Sequence, residues 1–386
     1  MRERVDNIFA DRRIQQAFRY ITRHESEIQA DQIRLTQIAA PPFAEGERAG
    51  HFSAELASLG LRPITDSIGN VIGIFGAADR NPVVVGAHLD TVFPASTRLR
   101  FEQKGRTLSL PGISDNGAGI VALLWALRAA KENGIPFRRP VIAVGNVGEE
   151  GEGNLRGIRH LFDRPLWDGQ CDFIAVDGSG LQRITNQALG SRRFRIRMAG
   201  PGGHSWADFG KPNPVHALST AIHTFCASDV RRPGCSFNFG VIRGGISVNA
   251  IPREAIVEVD LRSSAVGYLN DLEAHLRRVF AEATRTAQVE CTIEMMGDRP
   301  SGATPPRTAI VQAALEVTRR FGVEPLLDIG STDANIPISM GLAAIAIGGG
   351  GISGNVHTPE EWFDPSHRDQ GIQRLLALIG VLAGLD

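Results

Sequence analysis

The sequence predicts an α/β protein into which a smaller α+β domain is inserted. Three observations carry this. Short, wholly apolar runs alternate with helical stretches in the first half of the chain. From Gly190 the character changes to strands that alternate polar and apolar residues, in the order β-α-β-β-α-β. From about residue 300 the first character returns. A chain of 386 residues is long enough for two domains and a sizeable core.

The elements follow in order. Residues 12–39 read as helical, with Ile14, Phe18, Ile21 and Ile28 at helical spacing, until Pro41-Pro42 breaks the pattern. A second helix over 46–60 ends at Gly60. The runs VIGIF (71–75), VVVGA (83–87), VIAVGNV (141–147) and FIAV (173–176) read as strands buried on both faces. Ile120, Leu123, Leu124 and Leu127 mark a helix among them by their i, i+3, i+4, i+7 spacing. In the insert, Phe194, Ile196 and Met198 alternate with Arg193, Arg195 and Arg197. A helix at 214–227, strands at 237–242 and 255–262, a helix at 266–284 and a strand at 288–295 complete a ferredoxin-like pattern, one sheet face covered by two helices. A helix at 307–321, the strand LAAIAIG (342–348) and a helix at 366–383 restore the α/β character.

Composition narrows the function. Lys plus Arg is 41 and Asp plus Glu 42, so nothing favours nucleic acid or an anionic membrane as partner. No apolar run approaches the roughly 20 residues of a spanning helix. The polar N-terminus does not read as a secretory signal, and Cys171, Cys226, Cys235 and Cys291 form no CxxC pair. The expectation is a cytoplasmic protein with reduced thiols.

The unusual residues stand at the ends of the apolar strands. VVVGA runs into His88-Leu89-Asp90, VIAVGNV into Gly148-Glu149-Glu150, FIAV into Asp177, and LAAIAIG into a Gly-rich loop ending at His357. Ser114-Asp115 precedes the helix of the 120s. Open α/β sheets bind ligands at the carboxyl ends of their strands. So many acids in one place repel one another unless a cation sits among them. Imidazole with carboxylate suits zinc, cobalt or manganese, and two histidines with several carboxylates exceed one tetrahedral zinc; they match two metals sharing a bridging carboxylate. His88 and Asp90, two apart, face the same way on an extended segment, so Asp90 is positioned to accept the second imidazole N–H. Glu149 and Glu150, being adjacent, are expected to point apart, one for metal and one left as a base.

These residues carry a resemblance. The chain is similar to the co-catalytic metallohydrolases that include aminoacylase, acetylornithine deacetylase, succinyl-diaminopimelate desuccinylase, peptidase T and glutamate carboxypeptidase. The matching pieces are GAHLDTV (86–92), SDNGAG (114–119), GEEGEG (148–153), VDG (176–178), GPGGHS (200–205), SVNAIP (247–252), VDLR (259–262), GSTDAN (330–335) and HTPEEW (357–362). The resemblance implies a mixed-sheet catalytic domain from 1–189 and 299–386, with 190–298 as a lid and dimerisation domain. It implies two divalent ions, zinc first and cobalt or manganese as alternatives. His88 and Asp177 would hold one, Glu150 and His357 the other, and Asp115 would bridge. Glu149 would be the general base and Asp90 would orient His88. His204 and Asn249 would contact the scissile carbonyl or oxyanion, and Arg262 the substrate carboxylate. In dimeric relatives the small domains pair, and His204 would reach the partner subunit's site.

One departure stands out. Many members carry Gly-x-x-Asp-x-Lys-Gly at the bridge, and here Gly112-Ile113-Ser114-Asp115-Asn116-Gly117 has no lysine. The expected activity is therefore hydrolysis of an amide bond in short peptides. N-acyl-amino-acid deacylation and a non-catalytic metal- or peptide-binding relative are the alternatives. Taken singly, several residues have plainer readings: Asp115 and Asp333 as helix N-caps, His204 as a turn histidine, Arg262 as one half of a cross-strand salt bridge. Gly348 to Gly351 lacks the Lys and Ser/Thr of a phosphate loop, and Gly178-Ser179-Gly180 is no nucleophile elbow.

Overall fold

The computed structural model describes residues 1–76, 81–230 and 232–386. The chain divides into two compact units, Met1–Ala188 with Ala303–Asp386, and Leu189–Gly302.

The larger unit is built on a mixed sheet. Its strands run in the order Ile64–Thr65, Val71–Phe75, Val141–Asn146, Val83–His88, Asp172–Val176, Ala343–Ile347, Arg183–Ala188, and Leu326–Gly330 pairs with the last of these. The four central strands, Val141–Asn146, Val83–His88, Asp172–Val176 and Ala343–Ile347, are mutually parallel. Their carboxyl ends therefore open on one edge, which is why residues far apart in sequence meet there. The chain reverses direction across Val83–His88, the kind of switch point at which open sheets leave a crevice.

Alternation sorts these strands' side chains between two cores. Val83, Val85, Ile174, Val176, Ile345 and Ile347 face one core with the helices Gly117–Glu132 and Arg368–Ala383. Val84, Phe173, Ala175, Ala344 and Ala346 face the other with Arg156–Asp163. Gly117–Glu132 is apolar nearly all round because it is buried nearly all round.

The residues read as one helix over 12–39 form two, Arg12–Arg23 and Glu25–Thr36, parted at His24. A helix at Arg2–Ala10 and the strands Arg183–Ala188 and Leu326–Gly330 carried no legible pattern; the first strand holds Thr185, Asn186 and Gln187 within six residues. A small sheet was also illegible. It runs Ile352–Gly354, Trp362–Asp364, Thr107–Ser109, Glu102–Lys104, and fastens the segment after 109 to the loop before 362.

The smaller unit has a four-stranded antiparallel sheet in the order Cys235–Gly244, Glu254–Ser263, Gly190–Ala199, Glu290–Arg299. Helices Pro214–Ala227 and Val266–Ala287 pack on one face through Phe194, Ile196, Val257, Leu261, Phe225 and Phe280. The other face carries Arg193, Arg195 and Arg197 beside Glu254, Glu258 and Asp260. A short antiparallel pair, Gly203–His204 with Ala250–Ile251, leads into the Glu254 end of this sheet.

Candidate metal centre

His88 ends its strand fully buried. Its Nδ1 lies 3.1 Å from the carbonyl oxygen of Asp90, and because a carbonyl only accepts, Nδ1 carries the proton. In the neutral ring Nε2 is then left with the lone pair. It stands 3.0 Å from Asp115 Oδ1 and 3.6 Å from Asp177 Oδ1. On the other side of Asp115, Oδ2 lies 2.9 Å from His357 Nε2, which is also 3.0 Å from Glu150 Oε1. Asp115 thus turns one oxygen to each histidine.

These separations suit hydrogen bonds and are also compatible with ligands of a shared cation. Two tetrahedral ligands at about 2.0–2.1 Å from one ion stand roughly 3.3 Å apart. His88 Nε2 and Asp115 Oδ1 are buried and, although close, make no aligned hydrogen bond. Three groups of ligand atoms each fall within 4.8 Å of one another: His88 with Asp115 and Asp177, Asp115 with Glu150 and His357, and His88 with Glu149 and Glu150. The donor set therefore fits divalent cations.

The electrostatics agree. Burial works against a charged His88, yet the carboxylates of Asp115, Asp177 and Asp90 hold its pKa well above the usual value. Hydrogen bonds to Asp115 and Glu150 raise His357 to about 10. Burial pushes Glu150 upward. A cluster that drags protons onto both imidazoles is one that attracts positive charge.

Two expectations need correction. Asp90 does not take the imidazole N–H through its carboxylate, which lies 3.7 Å away; its carbonyl does. The carboxylate is used elsewhere, Oδ1 accepting from the backbone N–H of Glu149 at 2.9 Å and Oδ2 from that of Glu150 at 2.7 Å. Nor do Glu149 and Glu150 diverge. Gly148 (φ +67) and Gly151 (φ +50) bend the chain on either side, and both carboxylates reach the same space as His88.

Asp115 caps no helix: Asn116 occupies the cap position of Gly117–Glu132, and no side chain caps it. Asn116 holds the Asp177 turn instead, donating to the Val176 carbonyl at 2.9 Å and accepting from the Gly178 N–H at 3.1 Å. Asp333 is likewise no cap. It is buried, accepts from Asn146 Nδ2 at 2.7 Å, and burial raises its pKa to about 7. The missing lysine has a steric reason, since any Cβ at Gly117 would run into Thr36 Oγ1 and the Gly112 carbonyl. Cys171 is buried and its thiol is pushed up to about 12, the opposite of an activated nucleophile.

In the smaller unit, His204 Nδ1 accepts from the N–H groups of Trp206 at 3.2 Å and Ala207 at 3.3 Å, so its proton sits on Nε2. Asn249 lies next to Ala250, the partner of His204 in the two-stranded pair, and its Oδ1 accepts from Ser247 Oγ at 2.6 Å. Arg262 is not with them. It donates to Asp260 at 2.7 Å along its own strand. From the Glu254 end, where the two-stranded pair joins, Arg262 is roughly 26 Å distant at about 3.3 Å per residue.

Among the described residues no helix is long and apolar enough to cross a membrane. Residues 84–380 match the model of the peptidase family M20/M25/M40. Carboxypeptidase G2 of Pseudomonas sp. (strain RS-16) is 27% identical over 234 residues, 57% of this chain and 55% of that enzyme, so the chain aligns with about half the length of this relative. A tripeptidase of Staphylococcus aureus superposes with a TM-score of 0.80 at 22% identity, over 93% of this chain and 98% of that one. The aminopeptidase PepT of Bacillus cereus does so at 0.77 and 19% identity, over 93% and 99%.

Proposed function

The chain belongs to the peptidase family M20/M25/M40, and from that premise we propose that it is a metal-dependent hydrolase that cleaves an amide bond of short peptides. The observation that carries this is Asp115 with one carboxylate oxygen toward each of two histidines. In this reading His88 and Asp177 would hold one divalent ion, Glu150 and His357 the other, and Asp115 would contribute to both. Zinc suits the donors, with cobalt or manganese as alternatives. When bound, the pair supplies Lewis acidity to the attacking water and the scissile carbonyl. Glu149 takes the proton of the attacking water and passes it to the leaving amine. Its backbone N–H is anchored on Asp90, which holds the base in register with the ligands. His204, with its proton on Nε2, is in the tautomer that donates to a developing oxyanion, and the Asn249 amide supplies a second donor. Arg262 serves the substrate carboxylate.

The same reading makes the protein a homodimer through residues 190–298. His204 and Arg262 of one chain are too far apart for one short peptide, which supports their acting on two sites, His204 in the partner subunit's. Near-complete exposure of Trp206, Phe209, Ile246 and Val248 around His204 supports a surface that is covered in the dimer.

The test is amide hydrolysis by zinc-, cobalt- or manganese-loaded protein on di- and tripeptides beside N-acyl amino acids. Chelator-sensitive cleavage of free-amine peptides is expected. Cleavage of the N-acyl compounds alone would make the protein a deacylase. Metal binding with no turnover across the panel would favour a binding protein.

A further inference from the structure

The loop that bears His357 also bears Glu361, whose side chain is fully buried. Its carboxylate does not reach the ligand cluster. It faces the segment that leads to Asp115: Oε2 accepts from the N–H of Gly112 at 2.8 Å, and Oε1 from those of Ser114 at 2.8 Å and Asp115 at 3.0 Å. The Glu361 carbonyl accepts from Leu110 N–H at 3.1 Å, continuing the pairing of Trp362 with Ser109 and Phe363 with Leu108. One residue thus takes four hydrogen bonds from residues 110–115. Three of them satisfy N–H groups in a loop that has left its sheet and not yet entered its helix.

From this geometry we infer that Glu361 is a positioning residue that fixes Asp115 relative to His357 and so sets how tightly the Asp115–Glu150–His357 group holds a divalent ion. The inference rests on the bimetal reading above. Two ligands 242 residues apart in the chain must stay about 3 Å apart, and the carboxylate that locks one loop is covalently part of the other. A carboxylate is needed because three donors meet two oxygens. Glutamine offers one oxygen, and its NH₂ would confront an N–H. Aspartate is shorter by one methylene and cannot span both sides of the loop.

The experiment is titration of the metal-free full chain with Co(II), followed by calorimetry and by the visible absorption of the bound ion, for wild type, Glu361→Gln and Glu361→Asp. Melting temperatures of the metal-free forms are taken alongside. Wild type is expected to bind two ions. In Glu361→Gln, one binding step should weaken at least tenfold and the absorption band of the bound ion should change, as happens when groups behind metal ligands are altered. A merely structural role would lower the metal-free melting temperature and leave Co(II) affinity and spectrum alone. Affinities within twofold of wild type in the folded variants would overturn the inference while leaving the bimetal reading standing. Failure of both variants to fold would overturn it too, making Glu361 a residue of stability. A wild type that binds no Co(II) would overturn the bimetal reading, and this inference with it.

Discussion

The two units treat their carboxylates in opposite ways. On the open sheet face of the smaller unit the acids are matched by arginines: Glu258 lies 2.9 Å from Arg195, Asp260 lies 2.7 Å from Arg262, and Glu254 pairs with Arg197. At the strand ends of the larger unit, Asp115, Glu150 and Asp177 converge on two imidazoles, and among the described residues none of the three pairs with lysine or arginine. The first arrangement is electrically complete, and its half-exposed pairs are worth little individually. The second is incomplete, partly buried and held in place by hydrogen bonds from behind. Acids that have their own cations are surface structure. Acids gathered without them mark a place for one.

The sharpest way to break this contrast is Glu149→Gln. If Glu149 is the base, turnover falls on the order of a thousandfold, within the usual range for losing general acid–base catalysis. Metal content, measured by elemental analysis, stays at the wild-type level. Undiminished turnover would remove Glu149 from the role.

A second test moves to the smaller unit and asks whether it contributes chemistry to a partner. His204→Ala and Glu149→Gln are each expected to be inactive. After subunit exchange, mixed dimers hold one intact site in two, so an equal mixture should regain about a quarter of wild-type activity. No recovery, with exchange demonstrated by differently tagged chains, would place His204 at its own subunit's site or outside catalysis.

The smallest effect belongs to the completed pairs. Arg195→Ala removes a half-exposed partner of Glu258 and should cost no more than about 1 kcal/mol in denaturant unfolding. It should leave Co(II) affinity untouched. A change in metal binding would mean that the two classes of carboxylate are not as separate as they look.

Much of this was legible along the chain. The apolar runs located the four parallel strands, and strands that run the same way must end on the same edge, so His88, Glu150, Asp177 and His357 could be collected without coordinates. The insert was legible from its change to alternating residues. What stayed hidden at the site shares one physical character: hydrogen bonds between segments distant in sequence. Asp90 lies beside His88 in the chain, but its carboxylate goes to Glu149 and Glu150. Glu361 was visible only as part of HTPEEW, and nothing in that string says its carboxylate holds residues 112–115. Asp333 precedes a short apolar segment and looks like a cap, yet it is buried against Asn146.

Which side chains stand at which strand ends can be read along the chain, because the apolar runs set the strands; direction cannot, since the equally apolar Val71–Phe75 runs antiparallel to Val141–Asn146. How those side chains are aimed is set by contacts between distant segments. Aim depends on backbone N–H groups that loops leave unpaired, and the chain satisfies these with whichever buried carboxylate folding brings within reach: Asp90 for the Glu149-Glu150 turn and Glu361 for the approach to Asp115.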